Sequence, residues 1–365
     1  MFTQDEYNAH LQPTRVLHTR IDLLNSSGIV VDRLEGISLE GSVSANADSL
    51  IRRTATLKMA LSSNLLPSQE SLLWITNRIR PWIGLEDYFG TIHYYCQGTY
   101  MIKNPSVDIS VKGRTISIEL ADKMYALEGM PIETILRLDA GIPISDAVKT
   151  VTQSIGGENN LLIDTHPYTI PSKQEFKPDQ SVLDVEKTLR DLYMNWECFY
   201  NLEGYFVFRK IPNHLNDPVV WDFADQPFIL TSKSDFAYDN IKNHVQVIGR
   251  TLDNGTTVSA TTENNDVSSP FSIAKIGKRS LVPPSNDKYF TVEQCQADAD
   301  YNLFKHGNYN EKVSISCAPI YFLDVNHLVN FNSPEDGLMG KYCITDLTVP
   351  MDHKTEMSFT AYKIY

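Results

Sequence analysis

The chain has 365 residues, of which 42% are hydrophobic and 21% charged, a balance that excludes a disordered chain and is typical of a folded protein. Its formal net charge of −13 argues against sequence-independent binding of nucleic acid, which requires Lys and Arg to displace counterions from phosphates. At about 150 residues per domain, the length predicts two or three domains.

The N-terminal segment carries no targeting signal. Residues Met1–Tyr7 are polar and acidic, whereas a secretory signal has a basic start and an apolar core. The sequence also contains no uninterrupted apolar run near the ~20 residues that a membrane helix needs. We therefore expect a protein that is made and assembled in a cytoplasm and does not insert into a membrane by itself.

The N-terminal part of the chain has the two-residue period of β-strands. Apolar residues flank a turn at Asn25–Gly28, and they alternate with polar ones along Leu39–Val43 and Ala55–Met59. The clearest pattern is a hairpin formed by Val107–Val111 and Thr115–Leu120 around Lys112 and Gly113. One face of this hairpin is apolar in both arms, which predicts that this face packs on a core.

The middle of the chain changes to a helical period. Ser145 is a candidate cap for a helix that ends at Gly156. A second helix is predicted from Ser181 to about Trp196, because Ser181 and Asp184 have the spacing of a capping box. A strand hairpin with its turn at Glu203 and Gly204 follows this helix.

The C-terminal part again favours strands. A hairpin turn is predicted at Asp253–Gly255, a long polar loop at Glu263–Ser285, and a capped helix at Thr291–Lys305. The remaining predicted strands are Val313–Cys317, Leu328–Phe331, Lys341–Leu347 and Met357–Tyr365. The whole order predicts an α+β fold that is mostly β, with two β-rich domains and inserted material.

Motifs for catalysis or cofactor binding are missing from the sequence. It contains neither the HExxH motif of zinc proteases nor the GxSxG elbow of esterases. The nine histidines occur singly, and the cysteines form no CxxC pair, so the sequence indicates neither a metal site nor a disulfide framework. We therefore expect buried, reduced thiols, no cofactor, no metal and no enzymatic activity.

Five segments carry a family resemblance through their order along the chain. They are Leu39–Thr54 with its Ile51-Arg52-Arg53 element, Trp221–Arg250 with the V-x-V-x-G strand at Asn243–Gly249, Ser268–Pro270 with Ile276–Arg279, the helix Ala297–Lys305 with Cys317–Pro319 and Leu323–Asn326, and Gly340–Thr345. In this order they resemble the phage tail or baseplate hub family, the late control protein D-like proteins at the base of phage tails.

The resemblance implies two small β-barrel domains with helical and loop insertions. It places a first barrel at residues 1–130, a mixed α/β insertion domain at 131–215, and a second barrel at 216–365 with an inserted loop and helix at about 251–306. It also implies a homotrimeric ring at the tail tip of the virion. Such a ring joins a tail tube or distal tail protein to a central spike or fibre, and DNA passes through it.

Two features of the sequence acquire a role under this resemblance. Arg52 and Arg53 are candidates for subunit contact in the ring. Because a channel wall rich in Lys and Arg would hold phosphates, we expect neutral or acidic residues to face the channel. Specific binding of nucleic acid is not expected.

Two other functions remain open at this level. A carbohydrate-binding receptor module at the tail tip would show an exposed aromatic cleft. A tail-associated cell-wall hydrolase would need a further catalytic domain, which we do not expect because the chain ends at Tyr365, directly after the last predicted strand.

Overall fold

The computed structural model describes residues 2–37, 39–60, 65–68, 71–111, 113–212, 214, 217–223, 228–308, 311–352 and 354–365. Strands dominate these residues, so the predicted α+β, mostly β class is confirmed. No helix in the described ranges has the length and apolar character required to cross a membrane.

The N-terminal part consists of antiparallel strands that follow one short helix. Its elements are α1 (Gln4–His10), β1 (Leu17–Leu24), β2 (Val30–Glu35), β3 (Leu39–Asn46), β4 (Arg53–Ala60), β5 (Arg78–Glu86), β6 (Ile92–Cys96), β7 (Tyr100–Ser110) and β8 (Gly113–Asp122). The predicted two-residue period is confirmed in β4, where buried and exposed residues alternate along the whole strand.

The hairpin of β7 and β8 is confirmed, but its apolar face is only partly covered. Ile116 and Ile118 of β8 are buried, whereas Ile109 is 64% exposed and Val111 fully exposed beyond the end of β7. Val107 pairs with the buried Ile116, and Ile109 pairs with Arg114. Because side chains two positions apart lie on the same face of a strand, Ile109 and Val111 lie on the same face as Val107, the face that packs on the core. The prediction of a covered face was therefore wrong for the far end of β7, because the hairpin extends past the core. Lys112, in the predicted turn, lies outside the described residues.

The middle part alternates short strands and helices. Its elements are α2 (Met124–Glu128), β9 (Leu136–Leu138), α3 (Ile144–Thr150), a π-helical turn (Val151–Ile155), β10 (Leu161–Ile163), β11 (Gln174–Phe176), α4 (Val182–Arg190), β12 (Trp196–Tyr200) and β13 (Phe206–Lys210). Ser145 does not cap α3, since the helix already begins at Ile144 after Pro143. The capping box of Ser181 and Asp184 is confirmed.

The helix α4 is shorter than its apolar pattern predicted. It ends at Arg190, and Asn195 then takes a left-handed backbone conformation with φ of 77°. This turn redirects the chain, so that Trp196 begins β12 instead of ending a helix. The apolar residues near Trp196 fit a strand as well as a helix, and periodicity alone does not separate the two over such a short run.

The C-terminal part returns to strands with one long helix. Its elements are β14 (Trp221–Asp222), β15 (Ile229–Phe236), a 3-10 turn (Tyr238–Asn240), β16 (His244–Thr251), β17 (Thr257–Glu263), α5 (Ile273–Ile276), β18 (Ser280–Leu281), α6 (Val292–Asn308), β19 (Glu311–Cys317), β20 (Leu328–Ser333), a 3-10 turn (Pro334–Asp336), β21 (Leu338–Pro350) and β22 (Met357–Lys363). The predicted capping box of α6 is confirmed by mutual hydrogen bonds between Thr291 and Gln294.

Strands from both ends of the chain form one 14-stranded sheet. Its main order is β15-β19-β22-β21-β3-β4-β8-β7-β5-β1-β2. The two ends of the chain meet where β21 pairs antiparallel with β3, with Asp346 opposite Asn46 and Pro350 opposite Ser42. The expected pair of closed barrels is thus replaced by a continuous sheet, whose main path does not close on itself in the described residues.

Three apolar cores accompany this arrangement. The largest is shared by residues of the N-terminal and C-terminal strands, from Ala9 to Ala361. A second, which we call the middle core, consists of buried residues between Met124 and Phe208. A third, smaller core lies between β16, β17 and α6, with Val245, Val247 and Ala299 among its members. The predicted domain boundaries remain a proposal.

The middle core contains a buried carboxyl group. Glu186 of α4 is fully buried, and its Oε1 lies 2.6 Å from the hydroxyl oxygen of Thr152 in the π-helical turn. That hydroxyl lies 2.8 Å from the carbonyl oxygen of Val148, which can only accept a hydrogen bond. Thr152 has a single hydroxyl proton, so a protonated Glu186 satisfies both contacts best. Burial also raises the pKa of Glu186, to about 8.

We predict that Glu186 makes the protein less stable as pH rises from about 4.5 to about 8. The folded state keeps the proton of Glu186 across this range, while the unfolded state loses it above the ordinary value of 4.5. The free energy of unfolding then falls by up to about 1.4 kcal/mol per pH unit. Urea unfolding at several pH values should show a smaller slope for Glu186→Gln, and this variant should exceed the wild type in stability at pH 8.

The matched control is Glu128→Gln, which neutralises an exposed carboxylate at the end of α2. It should keep the pH slope of the wild type. An unchanged slope in Glu186→Gln would contradict the assignment.

Candidate functional site at a buried arginine pair

Of the two arginines singled out in the sequence, Arg52 lies in the connection between β3 and β4, and Arg53 is the first residue of β4. Asn46 holds this turn, since its side-chain oxygen accepts hydrogen bonds from the backbone N–H groups of Asp48 and Ser49. The amide group of Asn46 donates to Asp346 of β21 at 2.6 Å. Both arginine side chains are 3% exposed. Two positively charged groups that follow this turn are therefore buried in the protein.

Arg53 contacts three separate parts of the chain. Its backbone N–H donates to Asp122 Oδ2 at 2.9 Å, at the end of β8. Its Nη1 donates to the backbone carbonyl of Tyr200 at 2.8 Å, in the middle part, and its Nη2 forms an ion pair with Asp324, in the C-terminal part. The guanidinium therefore ties the N-terminal sheet to both other parts of the chain.

Arg52 makes a second bridge to the middle part. Its Nη2 donates to Glu197 Oε2 at 2.6 Å and to the carbonyl of Ala47 at 3.1 Å. The guanidinium carbon lies 3.6 Å from the ring centre of Phe199, within the range of a cation–π interaction. The other oxygen of Glu197 accepts a hydrogen bond from Arg209 at 2.8 Å, so one carboxylate joins two arginines.

The sequence prediction for Arg52 and Arg53 concerned contact between subunits. The contacts of both side chains lie within the chain, and little of either is exposed. Subunit contact remains a prediction, and the burial argues against a direct one. The partners Glu197 and Asp324 were missed because they lie 145 and 271 positions away in the sequence, and no local pattern indicates such pairings.

Asp122 adds a carboxyl group to the same site. It is almost fully buried and accepts backbone hydrogen bonds from Arg53 and Met124. Burial raises its pKa to about 6, against the lowering effect of these hydrogen bonds and of the nearby arginines. The site thus stabilises the start of β4 and the start of α2 through one side chain.

The short helix α1 closes the same region from the N-terminal side. His10 is fully buried, its Nδ1 lies 2.8 Å from the carbonyl of Glu6, and its Nε2 accepts a hydrogen bond from the backbone of Tyr321 at 3.1 Å. Burial lowers the pKa of His10 to about 3, so the ring stays neutral. Beneath the helix, a cavity of about 230 Å³ reaches Arg53 and Asp324.

The geometry around the arginines supports a structural role. The charged groups are paired with one another and with backbone carbonyls, as buried charges require. In the ranges that the structure describes, no group of three or more His, Cys, Asp or Glu side chains is arranged to hold a metal ion. The five cysteines are free, and all but Cys96 are buried.

Comparison with solved structures places this fold among tail proteins. The chain is similar to the 43 kDa tail protein of prophage MuSo2 from Shewanella oneidensis, at 10% identity and a TM-score of 0.61, over 95% of this chain and 98% of that one. A tail protein from Neisseria meningitidis MC58 matches at 10% identity and a TM-score of 0.61, over 94% and 96%. The chain has the fold of phage tail proteins.

A third structure extends this likeness. The prophage tail protein gp18 from Listeria monocytogenes EGD-e matches at 12% identity and a TM-score of 0.60, over 94% of each chain. No family model and no curated protein matches the sequence. This chain thus shares its fold with three tail proteins over nearly their whole length, at 10–12% sequence identity.

We predict that the bridge between Arg53 and Asp324 is essential for the stability of the tail-protein fold. Replacement of Arg53 by Gln leaves Asp324 and the carbonyl of Tyr200 without a charged donor, which should cost about 3–5 kcal/mol, as for other broken buried ion pairs. Chemical denaturation of Arg53→Gln, Asp324→Asn and the double variant gives the coupling energy. The double variant should lose less than the sum of the two single losses.

The matched control is the pair of Arg137 and Glu175, whose side chains are about half exposed and lie 3.0 Å apart. Loss of this surface pair should cost at most about 1 kcal/mol. Equal losses at the two pairs would show that burial of Arg53 does not matter.

Proposed function

We propose that this chain is a structural baseplate or tail-tip hub protein of a bacteriophage. Three copies form a ring that joins a tail tube or distal tail protein to a central spike or fibre and lets DNA pass. The protein is made and assembled in the host cytoplasm and resides in the virion at the tail tip. It needs no cofactor and performs no catalysis in this role.

The observation that carries this proposal is the continuous sheet built from both ends of the chain, in a fold shared with three tail proteins. Each edge of the main path, β2 and β15, pairs on one side only within the described residues. The edges also expose apolar side chains, including Val31 at 49% and Leu230 at 55%. Exposed edge strands favour pairing with another chain, which supports assembly into a ring through heterologous contacts.

A second observation favours assembly over an isolated monomer. The turn between β5 and β6 exposes Tyr88 at 78% and Phe89 at 89%. Asp87 holds this turn, because its Oδ1 accepts hydrogen bonds from the backbone of Phe89 and Thr91, and its Oδ2 lies 2.9 Å from His93. Exposed aromatic rings on a rigid backbone are typical anchors of protein interfaces, since little entropy is lost when they bind.

The same turn bears on the carbohydrate-binding alternative. That function would require an exposed aromatic cleft, whereas Tyr88 and Phe89 lie at the tip of a hairpin turn. Their surroundings favour insertion into a groove of another protein. A cell-wall hydrolase would require a catalytic set, and the charged groups at the arginine pair are engaged in structural contacts.

We predict that the protein occurs at the distal tip of the tail of the phage that encodes it. Antibody-gold electron microscopy of those particles should place the label at that tip. Antibody that has first been absorbed with the purified protein serves as the control and should give no label. Label on the head, or no label on intact and tip-disrupted particles, would contradict the hub proposal.

We also predict the charge of the channel. Residues that face the lumen of the assembled ring should be neutral or acidic, because a basic wall would hold the phosphates of passing DNA. Electron cryomicroscopy of the tail tip would identify these residues. A lumen lined by Lys and Arg would overturn this part of the proposal.

A further inference from the structure

A polar groove of about 750 Å³ separates the N-terminal sheet from the middle part of the chain. The sheet contributes the turn between β1 and β2 and the start of β5. The middle part contributes α2, the segment after the π-helical turn, and the turn between β12 and β13. Three positive side chains from these elements line the groove: Arg78, Arg80 and Lys123.

Two of these three cations lack a carboxylate partner in the described part of the chain. Arg78 donates from Nη1 to the backbone carbonyls of Thr76 and Asn77, at 2.7 and 3.2 Å. Arg80 donates from Nε to the hydroxyl of Thr99 at 2.8 Å and from Nη2 to the carbonyl of Glu203 at 2.7 Å. These neutral acceptors orient the guanidinium groups without forming an ion pair, and the carboxylate of Glu158 in the same groove acts on Arg78 through space.

The carboxylate of Glu158 in the groove already has three partners within the chain. It forms an ion pair with Lys123, accepts the hydroxyl of Tyr200 at 3.1 Å and accepts the backbone N–H of Asn160 at 2.9 Å. Glu158 is only 8% exposed. Burial, and after it the charges of Arg78 and Arg80, lower the pKa of Lys123 against the raising effect of Glu158. The groove therefore holds three cationic side chains against the two carboxylates of Glu158 and Glu203, on a protein whose net charge is −13.

We propose that this groove binds the carboxylate groups of an acidic peptide segment from a neighbouring protein. The planar guanidinium groups of Arg78 and Arg80 match a carboxylate with paired hydrogen bonds. The proposal goes beyond the hub role and does not depend on it. A protein that fails the gold-labelling experiment can still bind such a peptide, and the reverse also holds.

An acidic peptide fits the groove better than a nucleic acid does. Besides its cations, the groove presents acceptors, such as the carboxylate of Glu203 and the side-chain oxygens of Asn159 and Asn160. A peptide backbone supplies N–H donors to such acceptors, whereas a phosphate backbone supplies only acceptors. The negative charge of the whole protein also repels a long polyanion more strongly than a short peptide.

The test is fluorescence anisotropy with a labelled tetraglutamate peptide flanked by glycines, at about 50 mM salt, where charged contacts are only moderately screened. The tetraglutamate peptide should bind, and the corresponding tetraglutamine peptide should bind at least about tenfold more weakly, as expected for loss of charge-assisted hydrogen bonds. Arg80→Gln and Arg78→Gln should each weaken binding by a similar factor.

A second pair of variants leaves the arginines untouched. Ser27 is exposed at the mouth of the groove, so Ser27→Glu should reduce peptide binding by charge repulsion while Ser27→Gln should not. This pair keeps the test decisive if Arg78→Gln proves unfolded by circular dichroism. The matched controls are Lys58→Gln and Lys233→Gln, which remove exposed, ion-paired cations elsewhere on the sheet and should bind like the wild type.

Three results would overturn the proposal. The first is equal or undetectable binding of the glutamate and glutamine peptides. The second is wild-type affinity in Arg80→Gln together with Ser27→Glu. The third is tighter binding of a single-stranded oligothymidylate through the same arginines, which would make the groove a phosphate site.

Discussion

The buried guanidinium of Arg53 is the interaction on which the rest of the structure depends. A charge that is 3% exposed is tolerated only where ionic and hydrogen-bonding partners surround it. The guanidinium has partners in β12 and in the segment before β20, and the backbone N–H of the same residue donates to Asp122 at the end of β8. The three parts of the chain must therefore meet at this point, and separation of any one would leave a buried charge or a buried acceptor without its partner.

The pairing of β21 with β3 also holds remote parts of the chain together, through backbone hydrogen bonds. It joins strands that are about 300 positions apart, and the contact of Asn46 with Asp346 reinforces it beside the arginine turn. The largest core is then shared by both ends of the chain. The strands of the middle part lie outside this sheet. Arg52 and Arg53 therefore provide a polar connection between the 14-stranded sheet and the part of the chain that contains the middle core.

Local patterns predicted the local structure well, because their physical causes are local. The capping boxes at Ser181 and Thr291 and the hairpin turns depend on residues within a few positions. The continuous sheet and the ion pair of Arg53 with Asp324 depend on residues that are remote in sequence. The fold class therefore followed from the periodicity and order of the segments. The contacts of the arginine pair within the chain, and the uncovered end of β7, required the three-dimensional structure.

The net charge of the sequence also does not predict where charged side chains cluster in the folded protein. A value of −13 describes the average surface, and from it we predict no general affinity for phosphates. It does not reveal that Arg78, Arg80 and Lys123 converge from two elements on one groove. On an acidic protein, such a groove is the exception that attracts a negatively charged partner, while the remaining surface repels it. In the proposed hub, short acidic segments would therefore be held at this groove, while the acidic remainder of the surface would repel DNA.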